Sequence, residues 1–206
     1  MRSQGCGAFT GETSVEQMAS FGAPCRRPPP LLPAPRAVPR AGIKWVLIGH
    51  SERRTLFAET DELIATKMKY ALDKGFNVVY AIGEQLAERE KGMDATMAVC
   101  IEQLRRVAEM LDPTRVVIAY EPVWAIGTGV VATPEQAQET HKAIREWIAR
   151  TVSPEVAAAI RIQYGGSANA KNAPDLSARP DIDGFLVGGA SLKPEFADIV
   201  KAISAA

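Results

Sequence analysis

Short apolar runs alternate with longer amphipathic stretches from Gly42 to the end of the chain. The runs are mostly rich in Val and Ile, and most have Gly or Pro nearby, which is typical of buried parallel strands. The pattern predicts five strands, at residues 44–48, 77–82, 115–120, 161–164 and 183–187.

The stretches between these runs have the spacing of amphipathic helices. They predict helices at 61–74, 95–111 and 194–203, and a fourth that begins with Thr133 as cap and Pro134 just inside. A short helix is also predicted at 14–21. Strands that alternate with helices indicate an α/β fold with a parallel sheet.

Residues 24–41 interrupt this pattern with seven of the 14 prolines, four arginines and no acidic residue. Proline removes a backbone donor and disfavours helix in the preceding residue, so neither a helix nor a central strand is expected there. We therefore treat 1–206 as one domain with an irregular Pro/Arg-rich insertion at 24–41. The insertion is either a passive loop or a polyproline ligand for an SH3-type partner.

The composition excludes several classes of protein. The 206 residues are 47% hydrophobic and 23% charged, which is typical of a globular protein, and the formal net charge of zero argues against a nucleic-acid partner. No run of about 18 apolar residues predicts a membrane span, and residues 1–7 lack the apolar core of a signal peptide. Three cysteines at no metal-like spacing suggest reduced thiols and a cytoplasmic location.

The polar and glycine-rich residues directly follow the predicted strands. His50 follows the first strand and Glu121 the third, while glycine pairs follow the fourth and fifth. This is where parallel α/β proteins place their active sites. Glu121 ends an apolar strand, so its carboxylate is either a buried general base of raised pKa or part of a structural ion pair with an arginine.

The glycine-rich segments fit the binding of an anion. Gly165–Gly166–Ser167 and Gly188–Gly189 let the backbone approach a phosphate closely, and each precedes a possible helix start whose free amides favour anions. The run AIGTG at 125–129 has two glycines and small neighbours, which suit a flexible lid.

Four motifs together resemble the triosephosphate isomerase family, in the family's order: IGHSERR, AYEPVWAIGTG, QYGGSA and GFLVGGASL, at 48–54, 119–129, 163–168 and 184–192. GAFTGETS at 7–14 resembles the family's third loop, which docks into a partner subunit. The similarity covers 42–206 and about 7–22. It implies an eight-stranded (β/α) barrel and a homodimer that interconverts dihydroxyacetone phosphate and glyceraldehyde 3-phosphate without a metal or organic cofactor.

The resemblance also implies roles for individual residues. Glu121 would be the base that moves the proton, and His50 the neutral electrophile, its imidazole kept neutral by a helix N-terminus. Glu52 would support the family's catalytic lysine near the subunit contact. The segment 122–129 would be the closing lid. The phosphate would be held by Gly127, Ser167, Gly188 and Gly189.

The chain departs from the family's pattern at several points. The asparagine and lysine that follow the family's first strand have no counterpart, and about five of the eight strands are represented. Ala81 stands where the family usually has cysteine. We expect a truncated or mis-assembled version of a longer enzyme, with open sheet edges and activity below about a thousandth of the family's level. The alternatives are a catalytically dead interaction protein that uses 24–41, and another phosphate-binding barrel enzyme.

Overall fold

Five parallel strands form one sheet in the order in which they occur along the chain. The computed structural model describes residues 43–126, 128 and 130–204. The segment at 7–14, the helix predicted at 14–21 and the insertion predicted at 24–41 lie outside the described residues. The parallel sheet with intervening helices confirms the predicted α/β class.

All five predicted strands are present. They are β1 (Trp45–Ile48), β2 (Asn77–Ile82), β3 (Val116–Tyr120), β4 (Arg161–Tyr164) and β5 (Gly184–Phe185). β5 is shorter than predicted. One further bond, from the Leu186 N–H to the Tyr164 carbonyl at 2.9 Å, extends its ladder before the chain turns at Gly189–Leu192.

Eight α-helices occur in the described residues. They are α1 (Ser51–Phe57), α2 (Asp61–Asp73), α3 (Leu86–Arg89), α4 (Met93–Arg105), α5 (Pro134–Thr151), α6 (Pro154–Ala159), α7 (Ala173–Ser177) and α8 (Phe196–Ser204). The helix predicted at 95–111 divides into α4 and a 3-10 turn at Ala108–Met110. None of the described helices is long and apolar enough to cross a membrane.

The start of α5 is as predicted. Gln136 donates its backbone N–H to the Thr133 hydroxyl at 3.2 Å, and the Gln136 side chain accepts from the Thr133 N–H at 3.0 Å. This reciprocal pair satisfies two of the free donors at the helix start. Because Thr133 follows shortly after 122–129, the cap fixes the chain where it leaves the predicted lid.

The two faces of the sheet have different surroundings. The helix-facing side chains of Tyr80, Ile118 and Tyr164 are fully or almost fully buried, whereas Trp45 and Leu47 on the opposite face are 38% and 37% exposed. The guanidinium carbon of Arg161 in β4 lies 5.6 Å from the Trp45 ring centroid, although β1 and β4 are not neighbouring strands. The sheet therefore curves like part of a barrel, and its carboxyl ends form one rim.

The capping box gives the first prediction. Thr133→Ala removes the hydroxyl that accepts the Gln136 N–H, and we expect a loss of about 1 kcal/mol in the free energy of unfolding. Urea denaturation measures it. Thr151→Ala, at the exposed end of the same helix, is the control and should change stability by less than about 0.5 kcal/mol. Equal losses of unfolding free energy in the two variants would contradict a specific contribution of the Thr133 cap.

Candidate active site

The turn after β1 delivers His50 to the rim. Gly49 has a φ of +83°, a conformation that glycine adopts without strain, and α1 begins two residues later at Ser51. His50 caps this helix, because its Nδ1 accepts the Glu52 backbone N–H at 3.2 Å. A neutral imidazole that accepts through Nδ1 carries its proton on Nε2. The local fold thus presents an Nε2–H donor at the carboxyl end of β1.

β3 delivers Glu121 to the same place. All five residues of the strand are buried, and Glu121 directly after it is only 2% exposed. Its Oε2 accepts the Ser51 backbone N–H at 2.9 Å, and its Oε1 lies 3.1 Å from His50 Nε2. The structure therefore brings the two predicted reactive residues into direct contact. These partners of Glu121 are a backbone amide and an imidazole, rather than an arginine.

The surroundings shift the proton affinities of both groups in useful directions. Burial raises the pKa of Glu121 to about 7, although the Ser51 N–H and the Arg54 charge pull it down and Glu52 adds to the rise. Burial lowers the pKa of His50, against the opposing effect of Glu52. At neutral pH the contact is a hydrogen bond between a neutral imidazole and a carboxyl group that exchanges its proton readily. Such a carboxyl group suits general base catalysis.

Glycines let the neighbouring strands approach Glu121 closely. A Cβ on Gly83, after β2, would lie 1.7 Å from the Glu121 carbonyl oxygen. A Cβ on Gly165, after β4, would lie 2.9 Å from Glu121 Cγ. Any larger residue would therefore displace the backbone or the side chain of Glu121. The end of β2 therefore packs against the backbone of Glu121, and the end of β4 packs against its side chain.

The residues after Glu121 are anchored to the end of β2. Val123–Ala125 form a 3-10 turn, and the Trp124 indole N–H donates to Glu84 Oε1 at 2.7 Å. The Tyr120 hydroxyl donates to the same oxygen at 3.1 Å. Burial raises the pKa of Glu84. Glu84 and Trp124 were not among the predicted site residues, although a glutamate two residues after the end of β2 is a signal visible in the sequence.

Three of the predicted phosphate-binding residues, Ser167, Gly188 and Gly189, follow strands on the same rim. The Ser167 hydroxyl, after β4, donates to the Ala125 carbonyl at 2.7 Å. Gly188 and Gly189, after β5, are exposed, and a Cβ on either would have no heavy atom within 4 Å. Gly127 lies outside the described residues.

The helix starts expected after the glycine pairs differ from one another. A 3-10 turn begins directly at Gly189, but α7 begins only at Ala173, six residues after Ser167. Asn169 and Asn172 occupy the interval, where their side-chain amide oxygens accept backbone N–H groups and build a turn instead.

Glu52 lies on α1 beside His50 and is partly buried. His50, Glu52 and Glu121 therefore share one end of the sheet, with Ser167 and Gly188–Gly189 further along its rim. An arrangement of this kind on a curved parallel sheet defines an α/β-barrel enzyme that has its site at the carboxyl ends of the strands.

Comparisons with known proteins identify the family. Residues 34–203 match the family model for triosephosphate isomerase. The chain belongs to the triosephosphate isomerase family. This confirms the resemblance found in the four motifs and the predicted fold class.

Individual relatives agree with this assignment. A triosephosphate isomerase of Coprinopsis cinerea is 54% identical over 199 residues, which are 95% of this chain and 70% of the relative. One of Taenia solium is 50% identical over 202 residues, 96% of this chain and 72% of the relative. One of Oryza sativa subsp. japonica, named cytosolic, is 49% identical over 195 residues, 94% of this chain and 68% of the relative.

The raised pKa of Glu121 predicts a pH-dependent stability difference. A folded-state pKa of about 7 against an ordinary 4.5 means that the folded state holds this proton more tightly than the unfolded state. The wild type should therefore lose stability as the pH rises from about 4.5 through about 7. Glu121→Gln does not titrate, so it should gain up to about 3 kcal/mol relative to wild type between pH 5 and pH 8.

Urea denaturation at both pH values measures this difference. Glu139→Gln, at an exposed position of α5, is the matched control and should follow the wild type at both pH values. A difference between Glu121→Gln and wild type that is the same at pH 5 and pH 8 would contradict the assignment.

Proposed function

We propose that this chain interconverts dihydroxyacetone phosphate and glyceraldehyde 3-phosphate by proton transfer through an enediolate. The observation that carries the proposal is the contact of 3.1 Å between Glu121 Oε1 and His50 Nε2 in a buried site. Membership of the triosephosphate isomerase family supports the choice of substrate.

In this proposal, Glu121 is the base. A carboxylate with a pKa of about 7 is basic enough to take a proton from a carbon next to a carbonyl, and it is ionised in a large fraction of molecules at neutral pH. Because Ser51 and His50 engage both of its oxygens in this structure, one oxygen must leave its partner to face the substrate. Glu121 then returns the proton to the neighbouring carbon, while His50 carries the hydroxyl proton from one substrate oxygen to the other, so the atoms balance and the reaction involves no net oxidation or reduction.

His50 is the electrophile. Its Nε2–H would donate to the substrate carbonyl oxygen and stabilise the negative charge that collects there when the carbon–hydrogen bond breaks. The N-terminus of α1 and the burial of the ring keep the imidazole neutral, so that Nδ1 continues to accept the Glu52 N–H. Glu52 would act as a supporting carboxylate beside it.

Gly127, Ser167, Gly188 and Gly189 would hold the substrate phosphate. The position of Ser167 after β4 and the open space beside Gly188 and Gly189 support this, because backbone amides there can approach an anion closely. Retention of the phosphate matters chemically, because a free phosphate could be eliminated from the enediolate.

The test is a sensitive measurement of proton transfer. The 206 residues contain no match to the asparagine and lysine after the family's first strand, so we expect these residues alone to work at less than about a thousandth of the family's rate. Uptake of deuterium from D2O into the carbon-bound positions of triose phosphate, followed by NMR, detects such slow turnover. We expect uptake that falls to the buffer background in Glu121→Gln and persists in Glu139→Gln.

Two results would overturn the proposal. Deuterium uptake that survives Glu121→Gln would show that another group is the base. A complete lack of uptake by the wild type would favour the catalytically dead interaction protein, and capture of a partner before and after deletion of 24–41 would then test that alternative.

We also propose that the chain forms a cytosolic homodimer. The Oryza sativa relative is named cytosolic. At the end of α1, close to Glu52 and the proposed subunit contact, Leu56 and Phe57 are 51% and 43% exposed. Apolar side chains grouped beside a functional site are typical of a protein interface.

Sedimentation of the purified chain tests the dimer. Phe57→Glu places a charge in the proposed contact and should shift the chain toward a monomer by at least tenfold in the dissociation constant. Leu63→Glu introduces the same charge at an exposed apolar residue on α2 and should leave the association unchanged. A monomeric wild type, or equal effects of the two substitutions, would refute this contact.

A further inference from the structure

Arg54 connects three elements around the site. It lies in α1, and its side chain is 16% exposed. Its Nε donates to the Gly49 carbonyl at 2.7 Å and its Nη2 to the Ala81 carbonyl at 3.3 Å. Its Nη1 binds the carboxylate of Asp61, the first residue of α2. One guanidinium thus joins the end of β1, the end of β2 and the start of α2.

The contact of Arg54 with the Gly49 carbonyl restrains the backbone that leads into His50. The Gly49 carbonyl belongs to the peptide that continues into His50, so a donor at that oxygen restrains the orientation of the peptide. The space is also tight, because a Cβ on Gly49 would lie 2.7 Å from the Ala81 carbonyl oxygen and 3.3 Å from Arg54 Nη2. The fork of Arg54 therefore holds the turn that sets the distance between His50 and Glu121.

Arg54 also acts on Glu121 through its charge. Among the described residues, the groups that act on the Glu121 carboxylate include the Ser51 N–H and side chain, His50, Arg54 and Glu52. Of these, Arg54 carries a permanent positive charge, and it lowers the pKa of Glu121 against the larger effect of burial. Without this charge, Glu121 would retain its proton to higher pH and would be ionised in fewer molecules at neutral pH.

We propose that Arg54 is a positioning residue of this site, which holds the Gly49 turn so that His50 meets Glu121 and which keeps a fixed positive charge near the buried carboxylate. This role rests on the proposed function of Glu121 as the base. It has two separable parts, because the fork geometry belongs to arginine whereas the charge is shared with lysine.

The experiment titrates Glu121 directly in the full chain. Infrared difference spectra resolve the carboxyl band, and its loss in Glu121→Gln assigns it. We expect a midpoint near pH 7 in the wild type, a midpoint raised by about one pH unit in Arg54→Met, and a nearly unchanged midpoint in Arg54→Lys. Arg54→Gln is a second neutral variant with the same expected rise, for use if Arg54→Met does not fold.

A separate measurement tests whether Arg54 holds the Gly49 turn in position. NMR of the His50 ring reports the Nε2–H bond to Glu121, and we expect this signal to change in both Arg54→Lys and Arg54→Met, because lysine cannot reproduce the two-carbonyl contact. Deuterium uptake at neutral pH should fall about tenfold in both variants. Only Arg54→Met should recover part of its uptake at higher pH.

Arg53→Met is the matched control. Arg53 is the neighbouring arginine of α1, and it binds Glu59 at 2.7 Å and lies over the Phe57 ring. Its loss should lower stability without moving the Glu121 midpoint. A midpoint in Arg54→Met equal to that in Arg53→Met would overturn the proposal. The titration requires no turnover. A lack of isomerase activity would therefore refute the proposed function, while the titration would still test the role of Arg54.

Discussion

The burial of one carboxyl group at the end of β3 governs the arrangement of the site. Glu121 is almost completely enclosed, and an ionised carboxylate in such a place is costly unless it is paired or hydrogen-bonded. The Ser51 amide and the His50 imidazole supply those bonds. Ser51 is the first residue of α1, and His50 is its cap. The need to satisfy Glu121 therefore fixes how the end of β1 meets the end of β3. The same burial makes the carboxyl group basic enough to be useful.

Close backbone packing maintains this burial. Gly83 and Gly165 lie against Glu121 where any side chain would collide with it. Gln103 of α4 holds Gly83 from behind: its Oε1 accepts the Gly83 N–H at 2.8 Å, and its Nε2 donates to the Gly83 carbonyl at 3.2 Å. A buried amide thus pairs both backbone groups of a residue that leaves the strand ladder. The helix layer in this way positions the strand end that packs against the backbone of Glu121.

The strands could be predicted because they are short continuous apolar runs, and the longer helices because their apolar residues recur at helical spacing. His50 and Glu121 could be predicted because each lies just after a strand. Arg54, Gln103 and the link between Glu84 and Trp124 could not. Each has a partner 20 to 40 residues away in the sequence, and only the folded sheet brings the two together. The helices α3, α6 and α7 have four to six residues, too few for a periodic pattern to emerge.

The anchoring of residues 122–125 separates the backbone of Glu121 from movements of the chain that follows it. The Val123 N–H donates to the Glu84 carbonyl at 3.1 Å, and the Trp124 indole donates to the Glu84 side chain. The Ser167 hydroxyl holds the Ala125 carbonyl on the other side. With these three bonds in place, a displacement of residues beyond Ala125 need not be transmitted to the backbone of Glu121. In the proposed function, a closing segment beyond Ala125 can therefore follow Glu121 closely in the sequence while the backbone of Glu121 keeps its position.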